Sequence, residues 1–258
     1  MKKGWEEVGG WYDSLVGQKG HYYHDHVILP KVISFLKAWK ASSVLDLACG
    51  QGVLERHIPK MVRYVGIDIS PTLIRLAEGQ KKQKGSRFIV ADLTRPLTVT
   101  DKKFDAAALI LAAQDIDDLE KVFATGAECL QPGGRLVVVM NHPCFRIPRQ
   151  SGWGVDEENK LQYRQMSSYM SPLSVPIQTR PSARDKSPKV TYYHRPLSYY
   201  AEALAKSGFL IETIEEWTSD KKSEGKMARM ENRARKEFPL FLCLVGRKVP
   251  GRKKMEIE

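Results

Sequence analysis

The chain has 258 residues, of which 42% are hydrophobic and 28% are charged, and it carries a formal net charge of +11. This length can bury one sizeable core, so a single decorated domain is favoured over two equal ones. No run of residues approaches the roughly 18 consecutive apolar side chains of a membrane helix, and the four cysteines form no CxxC pair, which argues against a membrane span, a disulfide framework and a zinc site.

Strand-like and helix-like segments alternate through the first half of the chain. Apolar spacing predicts helices over residues 27–39, 52–59, 71–83 and 118–130. β-Branched and leucine runs predict strands over residues 43–47, 64–70, 87–94 and 135–143, a strand followed by a loop within 104–116, and a turn at 131–134. This alternation is typical of crossover units, so we expect an α/β fold with a doubly wound, mostly parallel sheet.

The second half of the chain opens with about fifty residues that lack periodicity. Residues 144–195 are rich in proline, serine, arginine and aromatic side chains, which indicates an irregular insertion that covers another part of the protein. A helix over 196–209 and strands over 210–217 and 238–248 follow, with a polar loop containing one or two helical turns between the strands. The expected organisation is an N-terminal lid and helix (1–40), a cofactor-binding core (41–143), an inserted substrate cap (144–195), the rest of the core (196–250) and a basic tail (251–258).

A glycine turn follows the first predicted strand, in the stretch VLDLACGQG from Val44 to Gly52. Such a turn lets the backbone approach a ligand at the carboxyl edge of a parallel sheet. Asp46 precedes the glycines and would repel a pyrophosphate, so a cationic ligand fits better than a dinucleotide. Asp68 and Asp92 follow at the ends of the next two strands. Each of these acids has a structural alternative, as a cap or a turn residue.

Five elements in this order resemble the class I S-adenosylmethionine-dependent methyltransferases, in particular their small-molecule, methyltransferase-11-like members. They are VLDLACGQG, Asp68 in VGIDIS, ADL at 91–93, LAAQDI after the fourth strand, and LQPGGRLVV before the fifth. The resemblance covers about residues 43–141. It implies a Rossmann-like seven-stranded sheet, S-adenosylmethionine as cofactor with S-adenosylhomocysteine as product, and methyltransferase activity.

The resemblance also implies roles for individual residues around the cofactor. Asp46 would help hold the amino group, Gly50 and Gly52 would let the backbone pass close to the methionine and ribose portions, and Asp68 would accept from the ribose hydroxyls. The remaining implied contacts are Ile69 and Asp92 with adenine, the Leu93 amide beside them, Ala112 and Gln114 at the sulfonium end, and Ala48 where many members carry the first glycine.

Three segments are candidates for the acceptor site. Residues 17–27 would form a lid, with Tyr22 as a candidate catalytic residue and Tyr23 as a substrate contact; the histidine spacing there does not predict a metal site. His142, after the fifth strand, is either a general base or a structural residue that holds the loop. In the insertion, aromatic and arginine side chains would enclose a planar acceptor or fix its carboxylate, or would form a satellite core. These candidates are Arg146, Trp153, Tyr193, His194 and Arg195.

The leading hypothesis is therefore a cytoplasmic methyltransferase that acts on a small molecule by in-line displacement. The positive charge motivates an alternative, modification of RNA or protein, which predicts an open basic groove and steep salt dependence. We expect nucleic-acid binding less, because no basic stripe carries interleaved aromatics. A non-catalytic, cofactor-binding regulatory protein is the third possibility.

Overall fold

The computed structural model describes residues 6, 17, 20–97, 103–178 and 189–250. Its centre is a seven-stranded sheet, which confirms the predicted fold class. The strands are β1 (Ser43–Leu47), β2 (Arg63–Asp68), β3 (Arg87–Val90), β4 (Phe104–Ile110), β5 (Leu130–Asn141), β10 (Phe209–Trp217) and β11 (Phe241–Lys248).

The strand order is β10-β11-β5-β4-β1-β2-β3, with β1 between β4 and β2. The pairs β1–β2, β1–β4, β2–β3 and β4–β5 are parallel, and β11 runs antiparallel to both β5 and β10. The carboxyl ends of β1, β2 and β4 therefore meet at one edge of the sheet, where the predicted cofactor residues stand.

Five α-helices accompany the sheet in the described part of the chain: α1 (Leu29–Ala38), α2 (Pro71–Gln80), α3 (Leu119–Cys129), α4 (Leu197–Lys206) and α5 (Ala228–Glu237). The Ser70 hydroxyl caps α2 by accepting from the Leu73 amide at 3.2 Å, and Asp118 caps α3 by accepting from Lys121 at 3.2 Å. Among the described residues, no helix has the length and apolar character that a membrane crossing requires.

The apolar core lies on both faces of the sheet, as expected when helices cover each side. Leu45 and Leu47 of β1 belong to a cluster with Phe123 of α3 and Leu204 of α4. Val44 of β1 points to the opposite face and joins a second cluster, which includes Val32 and Leu36 of α1. β1 is buried along its whole length, which fixes its carboxyl end firmly in the sheet.

Two predicted elements before the insertion are wrong. Residues 51–57 form consecutive turns rather than a helix. Gly52 has φ +74°, and the segment is tied by buried Glu55, which accepts from the Lys82 and Gln83 amides at 3.0 and 2.9 Å. β5 already begins at Leu130, where a turn was expected at 131–134.

The insertion and the polar loop are also more regular than predicted. The insertion contains two antiparallel hairpins, β6 (Ser151–Asp156) with β7 (Leu161–Met166), and β8 (Leu173–Gln178) with β9 (Lys189–His194). Most side chains of β6 and β7 are partly or fully exposed, so these strands contribute little to the apolar core. Residues 228–237 form the ten-residue helix α5 instead of one or two turns. The expected basic tail and most of residues 1–19 lie outside the described residues.

Candidate functional site

The glycine turn that follows β1 adopts left-handed backbone conformations. Ala48 has φ +55°, Gly50 +55° and Gly52 +74°. A Cβ at Gly52 would meet the Phe88 ring at 2.7 Å, so only glycine fits there. The turn lines a small cavity together with Asp46 and His24.

Asp46, near the end of β1, is a buried carboxyl. Its Oδ2 accepts a hydrogen bond from the Tyr64 hydroxyl at 2.6 Å, and its side chain faces the cavity beside the glycine turn. Burial raises the pKa of Asp46 to about 7, and the Tyr64 hydrogen bond opposes this rise. A cationic group in the cavity would stabilise the ionised carboxylate.

Asp68 ends β2 and ties the glycine turn to the start of α2. Oδ2 accepts from the Gly50 amide and Oδ1 from the Ser70 amide, both at 2.9 Å. The side chain is buried, and burial raises its pKa. Ile69, the next residue, is partly exposed at the same edge. The carboxylate oxygens keep lone pairs for further donors such as ribose hydroxyls.

Asp92 stabilises its own turn after β3. Its Oδ1 accepts from both the amide and the hydroxyl of Thr94, at 3.0 and 2.6 Å. The neighbouring Leu93 is buried, and its carbonyl accepts from the Thr125 hydroxyl at 3.0 Å. This geometry agrees with the turn alternative for Asp92, and its contact with adenine stays a prediction.

Ala112 and Gln114 follow β4, where Leu111 has φ +54° and a 3-10 turn spans Ala113–Asp115. Gln114 donates to the Leu111 carbonyl at 2.5 Å, while its buried Oε1 has no hydrogen-bond partner among the described residues. At the glycine turn, Gln51 Oε1 and His24 Nδ1 are buried without partners in the same part of the structure. Buried polar atoms of this kind call for a partner, so these residues fit a polar ligand such as the amino-acid end of S-adenosylmethionine.

A second cavity of about 480 Å³ lies under the insertion, which we call the cap (residues 144–195). Asn141 at the end of β5 lines this cap cavity, and so do Tyr23, Arg146 and Trp153, three of the predicted substrate contacts. Tyr23 and His24 are consecutive, and each lines one of the two cavities. The glycine turn and the cap cavity are therefore neighbours on one edge of the sheet.

The other three predicted substrate contacts do not line the cap cavity. Buried Arg195 donates to the Ile116 carbonyl at 2.9 Å and to the Asp117 carbonyl, and its guanidinium lies 5.2 Å from the Tyr193 ring centre. Buried His194 bonds the Tyr169 carbonyl at 2.8 Å. The structure thus gives Tyr193, His194 and Arg195 a bracing role between the cap and the loop after β4, which corresponds to the satellite-core alternative.

His142 has both ring nitrogens engaged. Nδ1 accepts from the Cys144 amide at 3.2 Å, and Nε2 therefore carries the proton that it donates to Glu216 Oε1 at 2.7 Å. Burial lowers the pKa of His142. This geometry supports the structural alternative, in which His142 holds the loop after β5.

Tyr22 lies outside the cap cavity. Its ring stacks on His26 at 4.2 Å, and its hydroxyl donates to Asp220 at 3.1 Å. Tyr23 packs on Phe241 and bonds Ser219. These contacts join the N-terminal π-helical turn His24–Ile28 and the residues before it to the loop after β10. The part of the chain that the structure describes holds no group of three or more His, Cys, Asp or Glu placed to bind a metal ion.

Sequence reasoning missed Asp115, which ends the 3-10 turn after β4. Burial raises its pKa to about 8. The pKa values of Tyr192 and Tyr200 are raised mainly by burial and, to a smaller extent, by the charge of Asp115. Tyr192 lines the cap cavity, so Asp115 stands close to it. Asp115 directly follows Gln114 in the sequence, and this position was the signal that could have marked it as a candidate site residue. Phe238, which also lines the cavity, was missed because its chain position gave no hint of this contact.

Comparison with known proteins identifies the core. Residues 45–138 match the family model described as a methyltransferase domain. A demethylmenaquinone methyltransferase of Tropheryma whipplei (strain Twist) is 33% identical over 105 residues, which cover 39% of this chain and 42% of that protein. A ubiquinone/menaquinone biosynthesis C-methyltransferase of Bdellovibrio bacteriovorus is 26% identical over 166 residues, which cover 57% of this chain and 70% of that protein.

A solved structure extends the likeness beyond the core. The S-adenosylmethionine-dependent methyltransferase from Mesorhizobium loti superimposes with a TM-score of 0.60 at 27% identity, over 80% of this chain and 90% of that one. The match to the Tropheryma protein, by contrast, spans less than half of that relative's length.

The strand order and the glycine turn at its carboxyl edge define a Rossmann-like methyltransferase fold. Residues 45–138 form a methyltransferase domain similar to those of the class I S-adenosylmethionine-dependent methyltransferases, and S-adenosylmethionine is the cofactor of such a domain. The predicted family and cofactor are confirmed. The roles of single residues stay predictions.

Proposed function

We propose that this protein transfers the methyl group of S-adenosylmethionine to a small-molecule acceptor bound in the cap cavity. The observation that carries the proposal is the position of that cavity, which is lined by Asn141 at the end of β5 and by Tyr23, the neighbour of His24 at the glycine turn. Its volume of about 480 Å³ falls within the roughly 300–1,000 Å³ of small-molecule pockets. The quinone-methyltransferase names of two relatives agree with a small acceptor.

The cofactor would lie across the carboxyl ends of β1, β2 and β4. Asp68 would accept from the ribose hydroxyls, and Asp46, with the orphaned Gln51 Oε1 beside it, would face the ammonium group. Asp92, Leu93 and Ile69 remain the candidates for adenine, and Gln114 and Ala112 for the sulfonium end. When bound, S-adenosylmethionine supplies an activated methyl group and a good leaving group, so the chain's own residues mainly position the acceptor.

An oxygen or carbon acceptor would also need a group that takes its proton. Asp115 is the best candidate, because no described residue donates a hydrogen bond to its side chain and it neighbours Tyr192 on the cavity wall. Its raised pKa of about 8 means that the ionised form, which could accept the proton, becomes the major form only above about pH 8. His142 fits this role less well, because its free lone pair already accepts from the Cys144 amide, and Tyr22 lies outside the cavity.

The experiment supplies S-adenosylmethionine labelled in its methyl group to purified protein, together with a cell extract separated into small molecules, RNA and protein. We expect the label in the small-molecule fraction. Trp153→Ala, which removes part of the cavity wall, should lower incorporation at least about tenfold. Tyr163→Ala is the matched control, because Tyr163 is equally exposed on the same hairpin, at 43% against 42%, and does not line the cavity.

The other outcomes separate the alternatives. Label in RNA or protein would contradict the proposal and support macromolecular modification. Cofactor binding without any labelled product would contradict catalysis and support a regulatory, cofactor-binding protein.

A further inference from the structure

The charged side chains that line the cap cavity are all positive among the described residues. Three arginines line it, Arg146, Arg149 and Arg164, and no carboxylate does among residues 20–97, 103–178 and 189–250. Arg146 and Arg164 line the same cavity, where burial and then the positive charge of Arg146 lower the pKa of Arg164, so the two guanidinium groups repel each other. Placing like charges in a partly desolvated cavity is costly unless an anion joins them.

The two inner arginines are held differently. Arg164 donates to the Phe145 carbonyl and, at 2.9 Å, to the Ser151 hydroxyl, and its guanidinium lies 4.7 Å from the Trp153 ring centre. Its Nε is buried and has no hydrogen-bond partner among the described residues. No described residue forms a hydrogen bond or ion pair with the Arg146 guanidinium. Arg149, at the exposed rim, donates to the Pro176 carbonyl.

Aromatic rings line the same cavity as these charges. Phe238 packs edge-on against Trp153 at 5.4 Å and against Phe145 at 5.7 Å. Tyr192 and Tyr23 complete the aromatic lining, and Ile177 adds an apolar side chain. Such surroundings favour a flat, apolar body, because ring faces and edges both offer contacts.

From this arrangement we infer that the acceptor is an aromatic small molecule carrying an anionic group, which Arg146 and Arg164 bind while the ring lies among Trp153, Phe145 and Phe238. Planar guanidinium groups match carboxylate and phosphate oxygens with paired hydrogen bonds. The inference rests on the proposed function of the cavity and narrows its substrate class. Arg164 is the preorganised partner, and Arg146 completes the anion site.

The test measures binding of matched acid and amide pairs to protein saturated with S-adenosylhomocysteine. The probes are benzoate, naphthoate and indole acetate, each against its neutral carboxamide, with phenyl phosphate to distinguish a phosphate site from a carboxylate site. We expect the acid of at least one pair to bind about ten- to a hundredfold more tightly than its amide, the range for a charge-assisted hydrogen bond.

Arg146→Gln should remove this preference while leaving amide binding unchanged, and Arg146→Lys should restore part of it. Arg229→Ala, an exposed arginine on α5 that does not line the cavity, controls for the loss of one positive charge. Cofactor binding, measured first in every variant, separates failure of the proposed function from failure of this inference. Equal binding of acid and amide, or no binding of any anion at millimolar concentration by protein that holds the cofactor, would overturn the anion site.

Discussion

The hydroxyl of Tyr64 on β2 donates a 2.6 Å hydrogen bond to Oδ2 of Asp46 on β1. Both side chains are buried beside the glycine turn. Burial alone would drive the carboxyl toward its protonated form, and this hydrogen bond is what opposes it. Tyr64 therefore tunes the charge of an acid that faces the proposed site of a cationic cofactor.

Cofactor affinity should consequently depend on pH. The pKa of Asp46 without ligand is about 7, and a bound ammonium favours the ionised carboxylate, so affinity should rise as pH approaches 7 and level off above it. Tyr64→Phe removes the hydrogen bond that lowers this pKa and should move the rise to higher pH. Calorimetric titration of S-adenosylhomocysteine across this pH range, with Tyr199→Phe as control, would measure it. A flat profile in the wild type would contradict the assignment of Asp46.

Asp115 should make the protein less stable as pH rises. Its pKa in the fold is about 8, above the ordinary value of 3.8, so between these values the unfolded chain releases a proton that the folded chain keeps. Stability from this group is thus complete below about pH 4 and declines up to about pH 8. Asp115→Asn cannot titrate, and its melting temperature should exceed that of the wild type at pH 8 but not at pH 4.

The same substitution should damage catalysis if Asp115 takes the proton of the acceptor. Removal of a general base typically costs about a hundred- to ten-thousand-fold in rate. Asp117→Asn is the matched control, since Asp117 is exposed and contributes its backbone carbonyl to Arg195. A stabler Asp115→Asn variant with normal turnover would show that the carboxyl takes no part in the reaction.

Ala48 occupies a left-handed conformation that glycine adopts without penalty. Ala48→Gly should raise the free energy of unfolding by about 0.5–1 kcal/mol, because relief of the Cβ clash outweighs the added freedom of the unfolded chain. Ala127→Gly makes the same exchange within α3 and should lower the free energy of unfolding by about 1 kcal/mol. Denaturant unfolding compares the two variants. Destabilisation by both would mean that Ala48 is not strained.

His142 should matter for stability more than for turnover. Its two hydrogen bonds hold the loop after β5, so His142→Gln should lower the melting temperature. Glu216→Gln keeps an acceptor for Nε2–H and should leave the rate within about threefold, because Glu216 is mostly exposed and such pairs contribute little. A hundredfold loss in Glu216→Gln at unchanged stability would instead point to a catalytic histidine.

The buried strands of the core were predictable from sequence because their residues are apolar on both faces, as in β1. The hairpins of the cap were not, since residues such as Trp153 and Tyr163 are half-exposed and the surrounding sequence is rich in proline, serine and arginine, as in irregular segments. The hydrogen bonds that join the cap to the loop after β4 were not predictable either, because their partners are distant in the chain: Arg195 and Asp117 are 78 residues apart. Asp68 was predictable because it ends a strand beside the glycine turn, whereas the burial of Asp115 depends on how the loop after β4 packs.

The central claim, that the cofactor lies across the carboxyl ends of β1 and β2, is tested most directly by calorimetric titration of S-adenosylmethionine into wild type, Asp68→Ala and Asp92→Ala. Asp68 holds Gly50 and Ser70 and would bind the ribose, so its loss should abolish micromolar binding, about −8 kcal/mol. Asp92→Ala, which removes a turn contact, should weaken binding only in part. Unchanged affinity in a folded Asp68→Ala protein would contradict this placement of the cofactor.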